Sequence, residues 1–541
     1  MVAIHKQEHQ KYRSSLVRYT ILRIMIECIQ YAAACLLRES GVDMNTELVV
    51  FIVYLFFMLA IGVYFFVKAR GSGEKEYFLG GRKMGPWVSA LSAGASDMSA
   101  WVLMGLPASI YAFGIGKAWI AIGLAIGYAL SWIFEAPRLR RFSIAANDSI
   151  TLPQYLTNRF KSSSKVLQIL CAVIFLIAYT IYAASSVKAC GTLFNTVIGV
   201  DATLAMYIAA AIIIGYTFMG GFSAVCWTDF FQGLLMLGAL LIAPIFALGL
   251  ISGGQGQMTM ESLGASNPDY WNLFPDWKTI ASGLGWGLGY FGMPHIIIRF
   301  MSVRSDKDLR KSAKIGISWN VLIIIFSVAA GCIGHLFLGE VSDSSTVFIQ
   351  MVRSIFPAVI SGILLSAILA ASMSTADSQL LCASSAFASD VYKPVIRKNR
   401  TSDKEMFWAG RIVVLIIAVI AVIIASDPGS KSIMDLVENA WGIFGAAFGP
   451  AILLSLFWKR FTFRGAVAGI ASGAVVDIAW LVINTRLSAA AAGYNGIFTL
   501  YEIIPGFIAG FIIAVVVALI DKEPHKEVLD LYDYATSDSI E

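Results

Sequence analysis

Charge is scarce in this chain. Asp, Glu, Lys and Arg make up 14% of its 541 residues, against roughly 25% in an ordinary soluble domain, so a solvated globular fold is excluded. Cysteine is sparse too. The seven present are scattered with no CxxC pair, which removes disulfide-framework, zinc and haem-attachment readings. Of the five histidines only His295 and His335 fall in or near apolar stretches, and nothing pairs them as axial ligands, so an enzyme or haem protein is not indicated. The 40 basic and 35 acidic residues leave a net charge of +5, which gives no reason to invoke nucleic acid. Nothing marks an obligate protein partner.

What is abundant is apolar sequence, at 58% hydrophobic residues. A helical span needs about 20 apolar residues. Thirteen such stretches centre near 48–67, 86–112, 118–134, 166–187, 202–219, 229–250, 279–298, 315–338, 347–388, 408–425, 436–458, 465–487 and 501–520. They predict an all-α integral membrane protein of about 13 transmembrane helices, embedded in the lipid bilayer. Basic residues gather in alternate loops: Arg82 and Lys83 after the first span, Arg138, Arg140 and Arg141 after the third, Arg299, Arg304 and Arg310 after the seventh, Lys393 and Arg397 after the ninth, Lys459 and Arg460 after the eleventh. Under the positive-inside rule this predicts a multi-pass protein of the plasma (cytoplasmic) membrane with its C-terminus in the cytoplasm.

Three regions follow. Residues 1–43 carry Lys6, Lys11, Arg13, Arg18, Arg23 and Arg38, which fit poorly ahead of a first span that starts outside. The segment 17–37 reads as a fourteenth span, an interfacial helix, or part of an upstream extension with Met44 as the start; we take the last. Residues 44–520 form the transmembrane domain. Residues 521–541 form a polar, acidic cytoplasmic tail, too short for a signalling domain.

Two spans are interrupted by glycine. The second reads GPWVSALSAGASDMSAWVLMGLP from Gly85, and the seventh ASGLGWGLGYFGMPH from Ala281. They lie five helices apart, in repeats of about 85–250 and 279–458. Unwound backbone survives inside a membrane only where it lines a cavity or site, so breaks at matching positions of two halves point to a transporter with inverted repeats. Glycines of this kind also serve as close-packing faces, the plainer alternative.

An ionisable group at membrane depth is costly unless paired, hydrated or coordinated. Asp97 follows the Gly94-Ala95-Ser96 interruption, and Asp377 lies in ASMSTADSQ beside Ser374, Thr375 and Ser378; Asp229 and Glu135 lie near span ends, and Asp477 is deep. Acids, hydroxyls and free carbonyls are the ligands hard cations take. No Lys or Arg falls in the middle of any expected span, so a bound cation is the economical counter-charge. The competing readings are a helix cap for Asp97, back-bonding to the preceding turn for Ser374 and Thr375, and an internal hydrogen bond for Asp477. Trp101, Trp286, Tyr290 and Tyr182 near the breaks are either packing or the flat walls of a small-molecule pocket. The lack of a cationic side chain favours a neutral or zwitterionic solute.

The blocks FLGGRKMGP (78–86), SALSAGASDMSAWVLMGLP (89–107), TLPQYLTNRF (151–160), WGLGYFGMPHIIIRFM (286–301), LLSAILAASMSTADSQLL (364–381) and LYEIIPGF (500–507) closely resemble the solute:sodium symporter family, most of all its sodium/proline symporter branch. The resemblance runs from about 44 to 520. It implies a leucine-transporter-type inverted five-helix repeat with one helix before the core and two after, and Na⁺ as coupling ion. It implies a sodium site from the carbonyls of Ala95, Met98 and Ala371 and the hydroxyls of Ser374 and Thr375, with Asp97 as ligand or neighbour. Trp101, Tyr182, Trp286, Tyr290 and Pro294 match substrate-pocket positions, and Arg82 a functionally sensitive loop arginine. Asp229, Asp377 and Ser378 match a second cation site found in some relatives. Ala100 stands where the branch usually has glycine, Met293 where it has glutamine, and Asp377 where it has serine. The implied activity is sodium-coupled import of a small zwitterionic amino acid, L-proline foremost. A proton-coupled or differently selective symporter, or a solute sensor on the same fold, stays open.

Overall fold

The computed structural model describes residues 46–68, 74–217, 221–398, 400–427, 429–491 and 493–537. The expected extension over 1–43 lies outside them. The helices used below, in chain order, are α1 (Thr46–Lys68), α2 (Pro86–Asp97), α3 (Gly105–Phe113), α4 (Ala118–Leu130), α5 (Ala136–Ala145), α6 (Val166–Ile198), α7 (Ala202–Thr217), α8 (Phe222–Leu250) and α9 (Trp277–Gly285). They continue with α10 (Pro294–Ser302), α11 (Asp306–Leu338), α12 (Val347–Ile355), α13 (Ala358–Ser385), α14 (Asp403–Ser426), α15 (Ile433–Phe457), α16 (Phe463–Ala490), α17 (Ile503–Ile520) and α18 (Lys526–Thr536).

Ten helices among the described residues are long and apolar enough to cross a membrane. Three of the thirteen expected spans take other forms: 86–112 and 279–298 are each split in two, and 202–219 is the 16-residue α7. The ninth expected span, 347–388, is also subdivided. Phe356 is extended ahead of Pro357 and separates α12 from α13, as the steric restriction before proline requires.

The two breaks have different local causes. α2 ends at Asp97, after which Met98 (φ −80°, ψ 69°) and Ser99 (φ −60°, ψ −171°) leave the helix before a short turn over Ala100–Val102. α9 tightens into a 3₁₀ stretch over Trp286–Phe291, and Pro294 restarts the helix as the first residue of α10, where its missing N–H costs nothing. The plainer reading of the glycine run also holds for part of it. A Cβ at Gly123 would stand 2.2 Å from the Gly283 carbonyl oxygen, and one at Gly127 2.2 Å from that of Gly287. Those glycines let α4 cross the second broken span backbone to backbone.

Around the breaks, α2 packs on α8, α10, α11 and α13, while α13 also packs on α1, α6 and α8. The 3₁₀ stretch lies against α4 and α15, and α16 and α17 run along each other outside it. At one end of the bundle the two broken spans are joined directly. Met84 and Val303 form a parallel bridge, with Met84 N–H donating to the Ser302 carbonyl (3.2 Å) and Arg304 N–H to the Met84 carbonyl (3.2 Å).

Candidate functional site

The break in α2 leaves backbone oxygens inside the bundle, and α13 brings hydroxyls to them. Ser374 Oγ donates to the carbonyls of Ala95 (2.8 Å) and Ala371 (3.1 Å). The second bond is the back-bond to the preceding turn; the first bridges two helices 279 residues apart in sequence. Thr375 Oγ1 is buried with no partner among the described residues. Met98 sits fully buried at the point where the chain leaves α2. Carbonyls, one bridging hydroxyl and one free hydroxyl make an all-oxygen set that suits a hard monovalent cation.

Asp97 is fully buried as the last residue of α2. It is no N-cap; Ser99 takes that role for the following turn, accepting from Trp101 N–H at 3.4 Å. Tyr290 Oη, from the second break, donates to Asp97 Oδ2 at 2.6 Å, and Oδ1 is without a partner among the described residues. The Asp97 carbonyl accepts from Trp101 Nε1 (3.3 Å) and Tyr182 Oη (3.4 Å). One residue thus gathers three of the four aromatics that the sequence places near the breaks.

The fourth joins through rings. Trp101 and Trp286 lie 6.3 Å apart between centroids, and Trp286 lies 6.2 Å from Trp441 and 5.3 Å from Tyr501. Trp441 Nε1 donates to the Trp286 carbonyl at 2.8 Å, and its ring fills the room that a Cβ on Gly289 would take. Trp101, Tyr182, Trp286 and Tyr290 are each 2% exposed or less, so the wall is closed off in this conformation. Ala100 and buried Met293 sit at the two breaks, and Pro294 is buried as the first residue of α10. The sequence does not single out Trp441, within α15, or Tyr501, just before α17; an aromatic in or beside a span gives no signal of what it faces.

The absence of a counter-charge within the spans is corrected by the structure. Arg299, counted above with the loop charges, lies in α10 at 1% exposure. The second half of the broken span begins at Pro294 and runs to Ser302, which carries Arg299 inward. Its Nη2 meets Asp229 Oδ2 at 3.1 Å and Ser378 Oγ at 2.5 Å, and its Nε meets Ser92 Oγ at 3.2 Å. Its Nη1 donates to the His295 carbonyl. Ser92 Oγ also donates to Asp229 Oδ2 at 2.7 Å, and Ser378 Oγ to Asp377 Oδ1 at 3.3 Å. Asp229, Asp377 and Ser378 do converge, but around a guanidinium. Two carboxyl groups share one guanidinium, with Asp229 Oδ1 and Asp377 Oδ2 unpartnered among the described residues.

Arg82 has a positional role at the joined end. It donates to Asp148 Oδ1 (2.8 Å), Ser143 Oγ (3.1 Å) and the carbonyls of Ser149 (2.9 Å) and Met301 (2.5 Å). One side chain ties the entry of α2 to the loop after α5 and to the last turn of α10.

A helical membrane bundle in which two interrupted helices meet over buried oxygens and a closed aromatic wall is the architecture of a secondary transporter. The chain belongs to the sodium:solute symporter family, whose model matches residues 77–473, and Na⁺ is accordingly its coupling ion. It is 43% identical over 490 residues to the osmoregulated proline transporter OpuE of Bacillus subtilis, covering 89% of this chain and 96% of that one. It is 41% identical over 482 residues to the high-affinity proline transporter PutP of the same organism (88% and 98% covered) and 43% identical over 496 residues to the sodium/proline symporter of Staphylococcus aureus (90% and 95%). Among solved structures, a Na⁺-coupled sialic acid symporter in a substrate-bound outward-open state matches with a TM-score of 0.71 at 21% identity, over 88% of this chain and 98% of that one. Mhp1, a nucleobase-cation-symport-1 family transporter, matches with a TM-score of 0.51 at 13% identity, over 85% and 98%. Both show the leucine-transporter-type fold that the family resemblance implies.

Proposed function

We propose that the chain is a sodium-coupled importer of L-proline. Three relatives above 40% identity bear proline in their names, and the wall of Trp101, Tyr182, Trp286 and Tyr290 is uncharged apart from Asp97, which suits a small zwitterion. The observation that carries the reading is the 2.8 Å bond from Ser374 Oγ to the Ala95 carbonyl. A sodium ion held by Ala95, Met98, Ala371, Ser374 and Thr375 fastens α13 to the broken end of α2. Asp97 stands beside it and, through Tyr290, connects the ion to the substrate wall. Sodium then shapes the pocket, and the solute shifts the outward–inward equilibrium by its differential affinity for the two states.

The energetics suffice. One positive charge moving down 100 mV releases about 2.3 kcal/mol, and at about 1.4 kcal/mol per decade the potential alone supports roughly 40-fold accumulation. The joined end of Met84, Val303 and Arg82 would be the inner gate, cytoplasmic under the positive-inside rule together with the tail 521–541. At Asp229, Asp377 and Ser378, with Arg299 resident, one further positive charge, a small cation or a proton, balances two ionised acids, so a second ion there is an addition to the guanidinium.

Counterflow of radiolabelled proline in proteoliposomes tests the reading. Exchange is expected with internal and external sodium and is expected to collapse in potassium. Equal exchange in both salts would refute sodium coupling, and exchange of another solute in proline's place would refute the substrate.

A further inference from the structure

Asp477 lies on α16, one of the two helices beyond the repeats, and has no place in the transport site above. It is fully buried, and neither carboxylate oxygen has a partner among the described residues. Glu502, the residue before α17, is 5% exposed with Oε1 likewise unpartnered. Gly442 of α15 makes the room between them. A Cβ there would stand 2.9 Å from Asp477 Oδ1, 3.5 Å from Oδ2 and 3.4 Å from Glu502 Cγ. Three helices therefore leave a small space walled by two carboxylate side chains. The internal hydrogen bond expected for Asp477 is not formed among the described residues.

Two adjacent carboxylates shielded from water do not both stay ionised; each disfavours the charge of the other, and burial disfavours both. Surrounding charge does not solve the problem. Near Glu502, on α15, are Glu438 and Asp435, which add negative charge; Lys431, just before α15, acts on Glu502, and Lys117, ahead of α4, acts on Glu438, neither as an ion pair with Asp477 or Glu502. Tyr501 is the adjoining phenol, and its Oη is committed to the Glu438 carbonyl at 2.8 Å. Among the described residues no group of three or more His, Cys, Asp or Glu is placed to hold a metal ion.

We propose that Asp477 and Glu502 form a carboxyl–carboxylate pair that binds one proton. The proton comes from solvent, sits on one carboxyl oxygen and is donated as a hydrogen bond to the other group; no other bond is made or broken. The pair has a mechanical connection to the substrate wall. Glu502 follows Tyr501, whose ring lies 5.3 Å from Trp286, and Tyr501 N–H donates to Ser282 Oγ of α9 at 3.0 Å. Losing the proton would place two like charges at the shoulder of α17 and push on Tyr501 and the wall it supports.

The first test is independent of the transport assignment. Infrared difference spectra of the full-length protein in liposomes, taken between about pH 5 and pH 9 with potassium as the only alkali ion, are expected to show a protonated-carboxyl band. Asp477→Asn and Glu502→Gln should each remove it, and Gly442→Ala, which fills the shared space, should shift it. A band unchanged in both acid variants overturns the proposal. A band abolished by added sodium at constant pH also overturns it, because the pair would then hold an alkali ion. The second test rests on the symporter reading: the half-saturating proline concentration should vary with pH in the unaltered protein and become pH-independent in Asp477→Asn, with the maximal rate within about twofold. Failure of this arm with the infrared band intact removes only the link to the wall.

Discussion

Asp97 and Asp229 are both fully buried carboxylates on helices that meet beside the first break, and they are neutralised in opposite ways. Asp97 receives a phenol, from Tyr290 at 2.6 Å, and keeps one oxygen free. Asp229 receives a guanidinium, from Arg299 at 3.1 Å, with Ser92 bonded to the same oxygen. A phenol satisfies a lone pair without cancelling charge, so in the proposed function the counter-charge on the Asp97 side of the break is the mobile cation. The Asp229 side carries a permanent one. The proposed symport uses both: a site whose counter-charge arrives and leaves, and a joint between α8, α10 and α13 whose guanidinium stays in place while it does.

The sharpest way to break this comparison is to remove the permanent charge. Arg299→Met leaves two acids buried without their cation, and breaking a buried ion pair from one side costs about 3–5 kcal/mol. We expect the largest loss of thermal stability and of folded yield of any change named here. The double variant Arg299→Met/Asp229→Asn should recover much of that stability, since it removes the stranded charge as well. If the single variant is as stable as the unaltered protein, Arg299 is not the counter-charge of this joint.

Next in size are changes to the mobile-cation side. Ser374→Ala removes the hydroxyl that reaches Ala95, and a hydrogen bond or contact to a charged group is worth about 1.5–3 kcal/mol, so the half-saturating sodium concentration should rise roughly ten- to hundredfold. Asp97→Asn keeps an acceptor for Tyr290 and loses only the charge; it should raise the same quantity and leave thermal stability in potassium almost untouched. That contrast with Arg299→Met is the test of mobile against permanent neutralisation. Unchanged sodium dependence in both Ser374→Ala and Asp97→Asn would remove the ion site from this break.

Tyr290→Phe separates the phenol from the ring. The ring contacts with Tyr128 and Trp441, both 5.1 Å between centroids, persist, and one hydrogen bond to a carboxylate is lost. A drop in proline affinity of roughly tenfold with a smaller change in sodium affinity is expected, consistent with about 1.5 kcal/mol for such a bond.

Much of this was legible in the chain because membranes punish exceptions. Glycine runs inside two apolar spans and acids at membrane depth can only be there for a reason, so the breaks, Asp97, Ser374 and the four aromatics stood out. Arg299 did not. Its neighbours in sequence are loop arginines and lysines, and only the restart of the helix at Pro294 decides that it turns inward. Trp441, Tyr501 and Glu502 were hidden for a related reason. Their meaning depends on which helix faces them, and spacing along one span says nothing about the partner across the interface. The glycines of the seventh span carried two meanings at once, close packing on α4 and the break itself, and sequence alone does not divide them.

A third carboxylate calibrates the pair. Asp148 also meets an arginine, Arg82, at 2.8 Å, but its side chain is 43% exposed and Lys75 contacts it as well. Burial pulls its pKa up, and the hydrogen bonds and charges of Lys75 and Arg82 outweigh that and hold it below the ordinary 3.8. A carboxylate with a depressed pKa stabilises the fold fully above its unfolded value and loses that contribution only as the pH falls through the lower folded one. The clamp is therefore constant across neutral pH. Water reaches Asp148, and Arg82, 8% exposed, keeps its bonds to Ser143, Ser149 and Met301, so Asp148→Asn should cost below about 1 kcal/mol, equally at about pH 6 and pH 8, read as a small, pH-independent fall in melting temperature. Two arginine–aspartate contacts of similar length thus predict losses several-fold apart, and the difference is set by whether water can replace the missing partner. A loss at Asp148 as large as that of Arg299→Met would mean that the joined end of the bundle, and not the buried guanidinium, holds the two broken spans together.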